Sequence, residues 1–393
     1  TLNEPIEETE GYRWASTGHA FVPTDYEDRI IDTELEVKAL KKRLADVEAG
    51  GVNTDIESYV VDEAERVAKE VYSHQNANTF SFLAVSDMHE HLSNEQIMIS
   101  NIHAGQGMDL VRQKTNINFG VVLGDNGWGS GIAGSEYRAT IELGIAEIRS
   151  ANEKIDEAFR GMPNLRVQGN HDPLMCNYTF NNNDYLDGNE LFPLYGAYNM
   201  GAIYPNGEKD RGYCYRDFEE HKLRVICLNT VDIKDFTPAD DVSPCYISGT
   251  QQKWFAETLD LSAKSDASEW GIIILSHHPL DFGLPIRACS IIKAYIEGGS
   301  ISRTFDGVDI NYDYAGKNKA TIIANIHGHN HNYLVDNLRY LVSDTTTASL
   351  AVKRICIPNA CFTRSNERGQ NNGVDVYDIE FGETTTYEKL ANS

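Results

Sequence analysis

FSFLAVSDMH, at residues 80–89, decides the fold class of this chain. Its first six residues are mostly apolar and β-prone, as is typical of a strand buried on both faces. Asp87 and His89 follow the strand at once, and their carboxylate and imidazole groups are common metal ligands. A buried strand that ends in two such residues predicts a ligand site at one edge of an α/β sheet.

Four further segments repeat this pattern of an apolar run followed by potential metal ligands. The apolar runs lie at residues 119–123, 165–168, 271–275 and 321–326. The polar segments that follow them are Gly124-Asp125, Gly169-Asn170-His171-Asp172, Ser276-His277-His278-Pro279 and Gly328-His329-Asn330-His331. Because strand ends in an open α/β sheet converge on one edge, the five segments predict one metal site assembled from across the chain.

The segments between these motifs alternate between strand and helix patterns. Such alternation predicts a mainly parallel sheet covered by helices. Apolar stripes and N-cap residues predict helices at 54–72, 94–114, 135–159, 249–263 and 284–296. Ser135 is the expected N-cap of the third helix.

The ordered set Asp-x-His, Gly-Asp, Gly-Asn-His-Asp, His-His-Pro and Gly-His-x-His resembles the calcineurin-like metallophosphoesterase superfamily. The resemblance covers roughly residues 79–380 and includes a strand pair at 212–229 and a Gln-x-x-Trp helix at 249–259. It implies a four-layer αββα sandwich of two mixed sheets flanked by helices. The alternating pattern of residues 373–381 predicts a last strand in the second sheet. Residues 126–129 depart from the pattern, since members often carry an apolar residue and then Asn or Asp there.

The resemblance also implies a binuclear centre of two divalent or trivalent ions, drawn from Mn, Fe, Zn, Ni and Mg. Mixed oxygen and imidazole ligands suit these ions, and the lack of thiolates argues against a purely structural zinc. The implied ligands are Asp87, His89 and His331 for one ion, Asn170, His277 and His329 for the other, and Asp125 as the bridge between both.

The implied reaction is hydrolysis of a phosphomonoester or phosphodiester by a metal-bridging hydroxide. By the same resemblance, His171 lies beside the leaving oxygen and protonates it or stabilises its charge. Asp172 is expected to hold the His171 imidazole in its cationic form. For substrate binding we expect His171 and Asn170 to contribute, with Trp128 offering a stacking face for a nucleoside or sugar.

The net charge of −25 argues against a long polyanionic substrate. A protein that holds nucleic acid by its phosphates needs a basic face, and the Lys/Arg runs at 38–43 and 354–368 are short and diluted by acidic or polar neighbours. A small-molecule or cell-surface phosphoester is therefore the expected substrate. The alternatives are a nuclease of the same superfamily and a non-catalytic structural or adhesive module, phage-associated in its layout, that reuses the fold.

Composition divides the chain into three parts, at residues 1–29, 30–52 and 53–393. The first is acidic and irregular, the second is a short amphipathic helix with a Gly-Gly linker, and the third is the expected phosphoesterase domain. Apolar residues of the helix at 30–47 fall on heptad a and d positions. They span fewer heptads than a confident coiled coil needs. Homo-oligomerisation through this helix and packing on its own domain therefore both stay open.

No stretch of the sequence approaches the ~18 apolar residues that a membrane span requires. No charged-then-apolar signal peptide opens the chain, although a first residue of Thr is consistent with a processed or engineered end. A cytoplasmic protein and a component of an exported or phage assembly both fit. The seven cysteines show no Cys-x-x-Cys spacing, so most are expected to be reduced.

Overall fold

The computed structural model describes residues 12–14, 21–23, 56–129, 140–174, 186–232, 245–343, 345–360, 375–380 and 386–392. The chain divides into two compact units, Thr1–Asp55 and Ile56–Ser393. In the first unit, the backbone of β1 (Tyr12–Trp14) pairs antiparallel with β2 (Phe21–Pro23). The helix predicted at 30–47 lies outside the described residues, so self-association through it stays a prediction.

The second unit alternates helices and strands. Its helices are α1 (Ser58–His74), α2 (Glu95–Lys114), α3 (Ile141–Phe159), α4 (Gly188–Leu191), α5 (Gly249–Leu259) and α6 (Ile286–Glu297). Its strands are β3 (Thr79–Val85), β4 (Phe119–Val122), β5 (Asn164–Arg166), β6 (Cys214–Phe218), β7 (Leu223–Cys227), β8 (Gly271–Ser276), β9 (Ser300–Phe305), β10 (Val308–Asp313), β11 (Thr321–His327), β12 (Leu334–Ser343), β13 (Thr346–Cys356), β14 (Asp375–Glu380) and β15 (Thr386–Asn392). In the described parts of the chain, no helix has the length and apolar character needed to cross a membrane.

A five-stranded mixed sheet carries the first three motifs, in the order β15-β14-β3-β4-β5. Strands β3, β4 and β5 run parallel, with Phe82 opposite Phe119 in the register. The strand predicted at 373–381 is present as β14, but it pairs antiparallel with β3. Its expected place in the second sheet is therefore wrong, because its backbone hydrogen bonds go to the strand of the first motif.

A six-stranded mixed sheet carries the last two motifs, in the order β12-β13-β11-β8-β7-β6. Strands β7, β8, β11 and β13 run parallel, while β6 and β12 are antiparallel at its two edges. Parallel strands buried on both faces read as continuous apolar runs, and β8 (GIIILS) is such a strand. Strands β9 and β10 form a separate antiparallel hairpin.

Side chains of β3 alternate between two apolar clusters, as the period of a strand requires. Phe80, Phe82 and Ala84 belong to a cluster that also holds residues of the six-stranded sheet, such as Ile273 and Ile326. On the other face, Leu83 and Val85 pack in a cluster with side chains of α1, α2 and α3. A third cluster joins α5 and α6 to the six-stranded sheet. The chain is thus an α/β protein with two mixed sheets and packed helices.

Helix boundaries follow local capping more closely than apolar periodicity. Helix α3 has Thr140 as its N-cap, and the Thr140 side chain accepts a hydrogen bond from the Leu143 N–H. The expected cap, Ser135, lies outside the described residues. Helix α5 ends at Leu259 rather than at residue 263, because Asp260 is in an extended conformation.

Candidate metal centre

Strained backbone marks the loops in which the five motifs lie. Ten non-glycine residues of the described chain have positive φ, and half of them are predicted metal ligands. These five ligands are Asp87 (φ 53°), His89 (φ 44°), Asp125 (φ 54°), His329 (φ 69°) and His331 (φ 53°). Each such conformation costs about 1–3 kcal/mol and tends to persist at functional sites. These backbone conformations therefore set the directions in which the predicted ligand side chains point.

Two motif glycines allow these loops to approach one another closely. A Cβ on Gly169 would lie 2.1 Å from Asp125 Oδ1, and a Cβ on Gly328 would lie 1.9 Å from Ser86 Oγ. Neither distance can accommodate a methyl group. The glycines of the third and fifth motifs are thus required by contact with the second and first motifs, respectively.

The Asp172 carboxylate organises the loops through backbone contacts. It accepts hydrogen bonds from the N–H groups of Asp125 (2.9 Å), Asn126 (2.9 Å) and Gly169 (2.7 Å). Burial and the nearby charge of Asp125 raise its pKa to about 6. The expectation that Asp172 orients the His171 ring does not match these contacts, because the ring of His171 has a different partner.

That partner is the backbone carbonyl of Trp128, which lies 2.6 Å from His171 Nδ1. A carbonyl only accepts, so Nδ1 carries the proton. The other ring nitrogen, Nε2, lies 4.0 Å from Asp125 Oδ2, and 23 % of the His171 side chain is exposed. His171 therefore presents Nε2 to the site while keeping access to solvent.

The first cluster of predicted ligands consists of Asp87, His89 and His331. Nε2 of His331 lies 3.0 Å from Asp87 Oδ1 and 3.1 Å from His89 Nε2. The second Asp87 oxygen, Oδ2, is fixed by the backbone N–H of His329 at 3.0 Å. In contrast, Oδ1 is buried and forms no hydrogen bond of normal geometry with the described residues. A buried carboxylate oxygen that faces two imidazoles in this way fits a cation site.

The second cluster consists of Asn170, His277 and His329. Asn170 Oδ1 lies 3.0 Å from His277 Nε2 and 3.0 Å from His329 Nδ1. His277 is fully buried, and its Nδ1 lies 2.7 Å from the Leu123 carbonyl oxygen. This contact places the ring proton on Nδ1, as is usual for a metal-ligating histidine.

Asp125 lies between the two clusters. Its Oδ2 is 3.1 Å from His277 Nε2 in the second cluster and 3.8 Å from His89 Nε2 in the first. Its Oδ1 accepts a hydrogen bond from the His171 N–H at 2.9 Å. One oxygen of Asp125 therefore positions the third motif, while the other faces the predicted ligands of both ions.

When the His277 imidazole is neutral, its Nε2 and the two oxygen atoms that face it are all hydrogen-bond acceptors. With the proton on Nδ1, the lone pair of Nε2 points towards Asp125 Oδ2 and Asn170 Oδ1. Such an arrangement is unfavourable unless a proton or a metal cation lies among the three atoms. The donor set therefore fits a metal ion. Groups of buried His and Asp residues in this region have ligand atoms within 4.8 Å of one another and could hold one.

The pKa values of the site shift in both directions, which favours neutral His89 and His329, a protonated His277 and an ionised Asp125. Burial opposes protonation of His277, but the carboxylates of Asp125 and Asp87 outweigh it and raise its pKa to about 9. Burial likewise favours the neutral form of Asp125, yet the imidazoles around it hold its pKa well below the usual range. For His89, burial and the charge of His171 lower the pKa to about 3. For His329, burial and His277 lower it to about 4.

The seven predicted ligands and His171 thus come together at the ends of strands from both sheets. The ring of Trp128, the predicted stacking residue, packs between His89 and His91, with ring centroids 5.8 Å and 5.3 Å away. The Leu123 and Trp128 carbonyls, which orient His277 and His171, were missed because any residue type supplies a carbonyl. Thr230, whose hydroxyl lies 3.0 Å from His278 Nδ1, was also missed, although it follows the apolar run of β7 as the motifs follow theirs.

A scan against protein-family models and a search of curated proteins found no match to this chain. What the geometry itself establishes is an α/β protein in which buried histidine and aspartate groups from five strand-end loops could hold a metal ion.

Proposed function

We propose that this chain is a binuclear metal-dependent phosphoesterase of the calcineurin-like superfamily. The observation that carries the proposal is the position of Asp125 Oδ2, between two clusters that present lone pairs to each other. A carboxylate shared by two sets of N and O ligands suits a pair of cations ~3.5–4 Å apart, which clamps an in-line displacement.

The seven residues would divide between two ions as their contacts suggest. Asp87, His89 and His331 would hold one ion, Asn170, His277 and His329 the other, and Asp125 both. Asn170 contributes a neutral oxygen, so that the site keeps positive charge for a phosphate group. Oxygen and imidazole ligands together suit Mn, Fe, Zn and Ni. Mg is also a candidate, although as a hard cation it prefers oxygen ligands. When bound, these ions would stabilise negative charge on phosphoryl oxygens and acidify a water molecule.

His171 would act on the leaving group. Its Nδ1–H is held by the Trp128 carbonyl, which leaves Nε2 as the atom that gains and loses a proton. A protonated Nε2 can donate to the leaving oxygen of a bound ester, and general acid catalysis of this kind contributes about 10²–10⁴-fold. Asp172 would support this step indirectly, because it fixes the backbone of the second and third motifs.

The proposed architecture is a four-layer αββα sandwich within a catalytic domain at residues 53–393. In support, one apolar cluster contains side chains from both sheets, and two further clusters join each sheet to helices. Such layering would place the ends of β3, β4, β5, β8 and β11 at one edge, where α/β folds bind ligands.

The proposed substrate is a small phosphomonoester or phosphodiester, free or on a cell surface. The net charge of −25 opposes a long polyanion, which sets the nuclease alternative second. A non-catalytic module of the same fold is the third alternative. It would have no need of five strained ligand conformations, since each has a cost in stability.

The test is a metal-loading and turnover panel on the full chain. Metal-free protein would be loaded separately with Mn, Zn, Ni, Fe and Mg, its ion content measured, and p-nitrophenyl phosphate, bis(p-nitrophenyl) phosphate and single-stranded DNA offered as substrates. We expect two ions per chain and turnover of a nitrophenyl ester that a chelator abolishes. Cleavage of DNA alone would favour the nuclease. Full loading without any turnover would favour the non-catalytic module.

A further inference from the structure

His278 is a buried histidine beside the candidate metal centre that the seven-ligand assignment does not use. It follows His277 in the fourth motif and is fully buried. Its ring centroid lies 4.2 Å from that of His329 and 5.1 Å from that of His277. The ligand atoms of these three histidines all lie within 4.8 Å of one another.

Thr230 holds the His278 ring on one side only. The Thr230 hydroxyl lies 3.0 Å from His278 Nδ1 and accepts a hydrogen bond from the His278 backbone N–H at 3.2 Å. The other ring nitrogen, Nε2, is buried and has no hydrogen-bond partner among the described residues. Leaving a buried polar atom unsatisfied costs about 1–3 kcal/mol, so an absent partner is expected at Nε2.

We propose that His278 Nε2 is a further ligand of the ion held by Asn170, His277 and His329. This inference rests on the proposed function, because it presumes that the ion binds there. Thr230 would accept the His278 Nδ1–H, just as the Leu123 carbonyl accepts the His277 Nδ1–H. In both residues the nitrogen next to the backbone would then be protonated and the outer nitrogen free to ligate.

The proposal makes the two ion sites unequal. The ion at His277 would have five protein ligands, which are Asp125, Asn170, His277, His278 and His329. The other ion would have the four ligands Asp87, His89, Asp125 and His331. The five-ligand ion should therefore be retained more strongly, and the four-ligand ion should exchange more readily and keep more positions for water or substrate.

The experiment measures metal affinity rather than turnover. Full-length protein loaded with Co²⁺ would be dialysed against graded chelator, with ion content and the visible absorption of Co²⁺ recorded at each step. We expect wild-type protein to lose its two ions in separate steps. In His278→Ala the later step should move to at least about 10-fold lower chelator, with a changed absorption band, while the earlier step stays in place.

Thr230→Val provides a milder variant, with Thr258→Val as its control. Both positions are buried, but Thr258 lies on α5, where its carbonyl accepts a hydrogen bond from Arg224. Thr230→Val should shift the later step by up to about 10-fold, and Thr258→Val should shift neither step. If His278→Ala fails to fold, Thr230→Val decides.

Three results would overturn the inference. The first is binding of both ions by His278→Ala as by wild-type protein, the second is the same behaviour in Thr230→Val as in Thr258→Val, and the third is an equal shift of both steps. If the wild-type chain takes up no metal at all, that result would instead contradict the proposed function and, with it, the inference. The two failures are therefore distinguishable.

Discussion

Asp125 and Asp232 are both buried aspartates that follow parallel strands, yet their surroundings differ sharply. Asp125 follows β4 and Asp232 follows β7. Asp125 Oδ2 faces the His277 imidazole at 3.1 Å. Asp232 Oδ2 instead accepts hydrogen bonds from Gln251 Nε2 at 2.9 Å, from the Ser248 N–H at 3.2 Å and from the Ser248 hydroxyl.

The pKa values of the two carboxyls shift in opposite directions. Burial raises the pKa of Asp232 to about 6, although hydrogen bonds from Ser248 and Gln251 oppose the shift. Burial acts on Asp125 as well, but the surrounding imidazoles hold its pKa well below the usual range. Similar burial thus raises the pKa of the carboxyl in one loop, whereas in the other loop the imidazoles keep the carboxylate ionised.

The comparison distinguishes a buried aspartate that stabilises a loop from one that is placed to bind a cation. The Asp232 group is closed, since neutral donors of α5 and its N-cap satisfy its oxygen. The Asp125 group is open, since its Oδ2 faces the imidazoles of His277 and His89 rather than neutral donors. Burial alone therefore does not identify a ligand site, whereas a buried carboxylate that faces imidazoles indicates one.

The largest expected effect follows substitution of Asp125. Asp125→Asn should lower metal affinity by more than the about 10–100-fold typical of outer partners of a metal ligand, because it removes the charge shared by both ions. Turnover of a nitrophenyl ester should fall to background. Asp232→Asn is the matched control and should keep both ions. Ion content and turnover measured side by side test this, and equal metal loss in the two variants would contradict the distinction between open and closed carboxylates.

The next effect separates a ligand from a proton donor in adjacent residues. Asn170→Ala should weaken metal binding, because Asn170 Oδ1 lies 3.0 Å from both His277 and His329. His171→Asn should keep the ions and lose about 10²–10⁴-fold in kcat. Metal analysis and steady-state kinetics on both variants distinguish these roles. Loss of ions from His171→Asn would make His171 a ligand, since it also lies near His89 and Asp125.

The residues of the candidate site could be identified from the sequence, because each motif consists of an apolar run followed by a distinctive set of potential ligands. The same runs predicted the strands, and Asn94 correctly marked the start of α2, where its side chain accepts from two backbone N–H groups. The strand predicted at 373–381 was assigned to the wrong sheet. Its alternation predicts a strand, but its pairing with β3 joins opposite ends of the second unit, and no local pattern specifies that partner.

Contacts from backbone carbonyls and between distant loops could not be predicted. The partner of His171 is a carbonyl, so no side chain marks it. Asp172 stands next to His171 in sequence, but its carboxylate turns towards three N–H groups of the loops. For His278, only the position of Thr230, 48 residues earlier, reveals which ring nitrogen remains unsatisfied.

The smallest expected effect concerns stability and tests the closed carboxyl directly. The folded pKa of Asp232, about 6, lies above the ordinary value of 3.8. Between these values the folded chain binds more protons than the unfolded chain, so this residue lowers stability as pH rises from about 4 to 6. Asp232→Asn keeps an oxygen acceptor and removes the titration. Its stability relative to wild-type protein should rise across that window by about 3 kcal/mol at most and stay level above it.

Asp260→Asn is the control of opposite sign for this measurement. Asp260 accepts hydrogen bonds from Lys317 Nζ at 2.6 Å and from the Tyr312 hydroxyl at 2.7 Å. Burial opposes its ionisation, but the hydrogen bonds from these partners outweigh burial and hold its pKa below the usual range. Its stabilising contribution is present above the unfolded pKa and is lost as pH falls. Denaturant melts from about pH 2.5 to 8 should therefore give difference curves of opposite slope. Asp232→Asn should gain relative stability as pH rises from about 4 to 6, whereas Asp260→Asn should lose it as pH rises towards about 4 and stay level above that. A flat curve for Asp232→Asn would mean that hydrogen bonds from Ser248 and Gln251 fully offset burial, and that the Asp232 carboxyl is ionised like an exposed one.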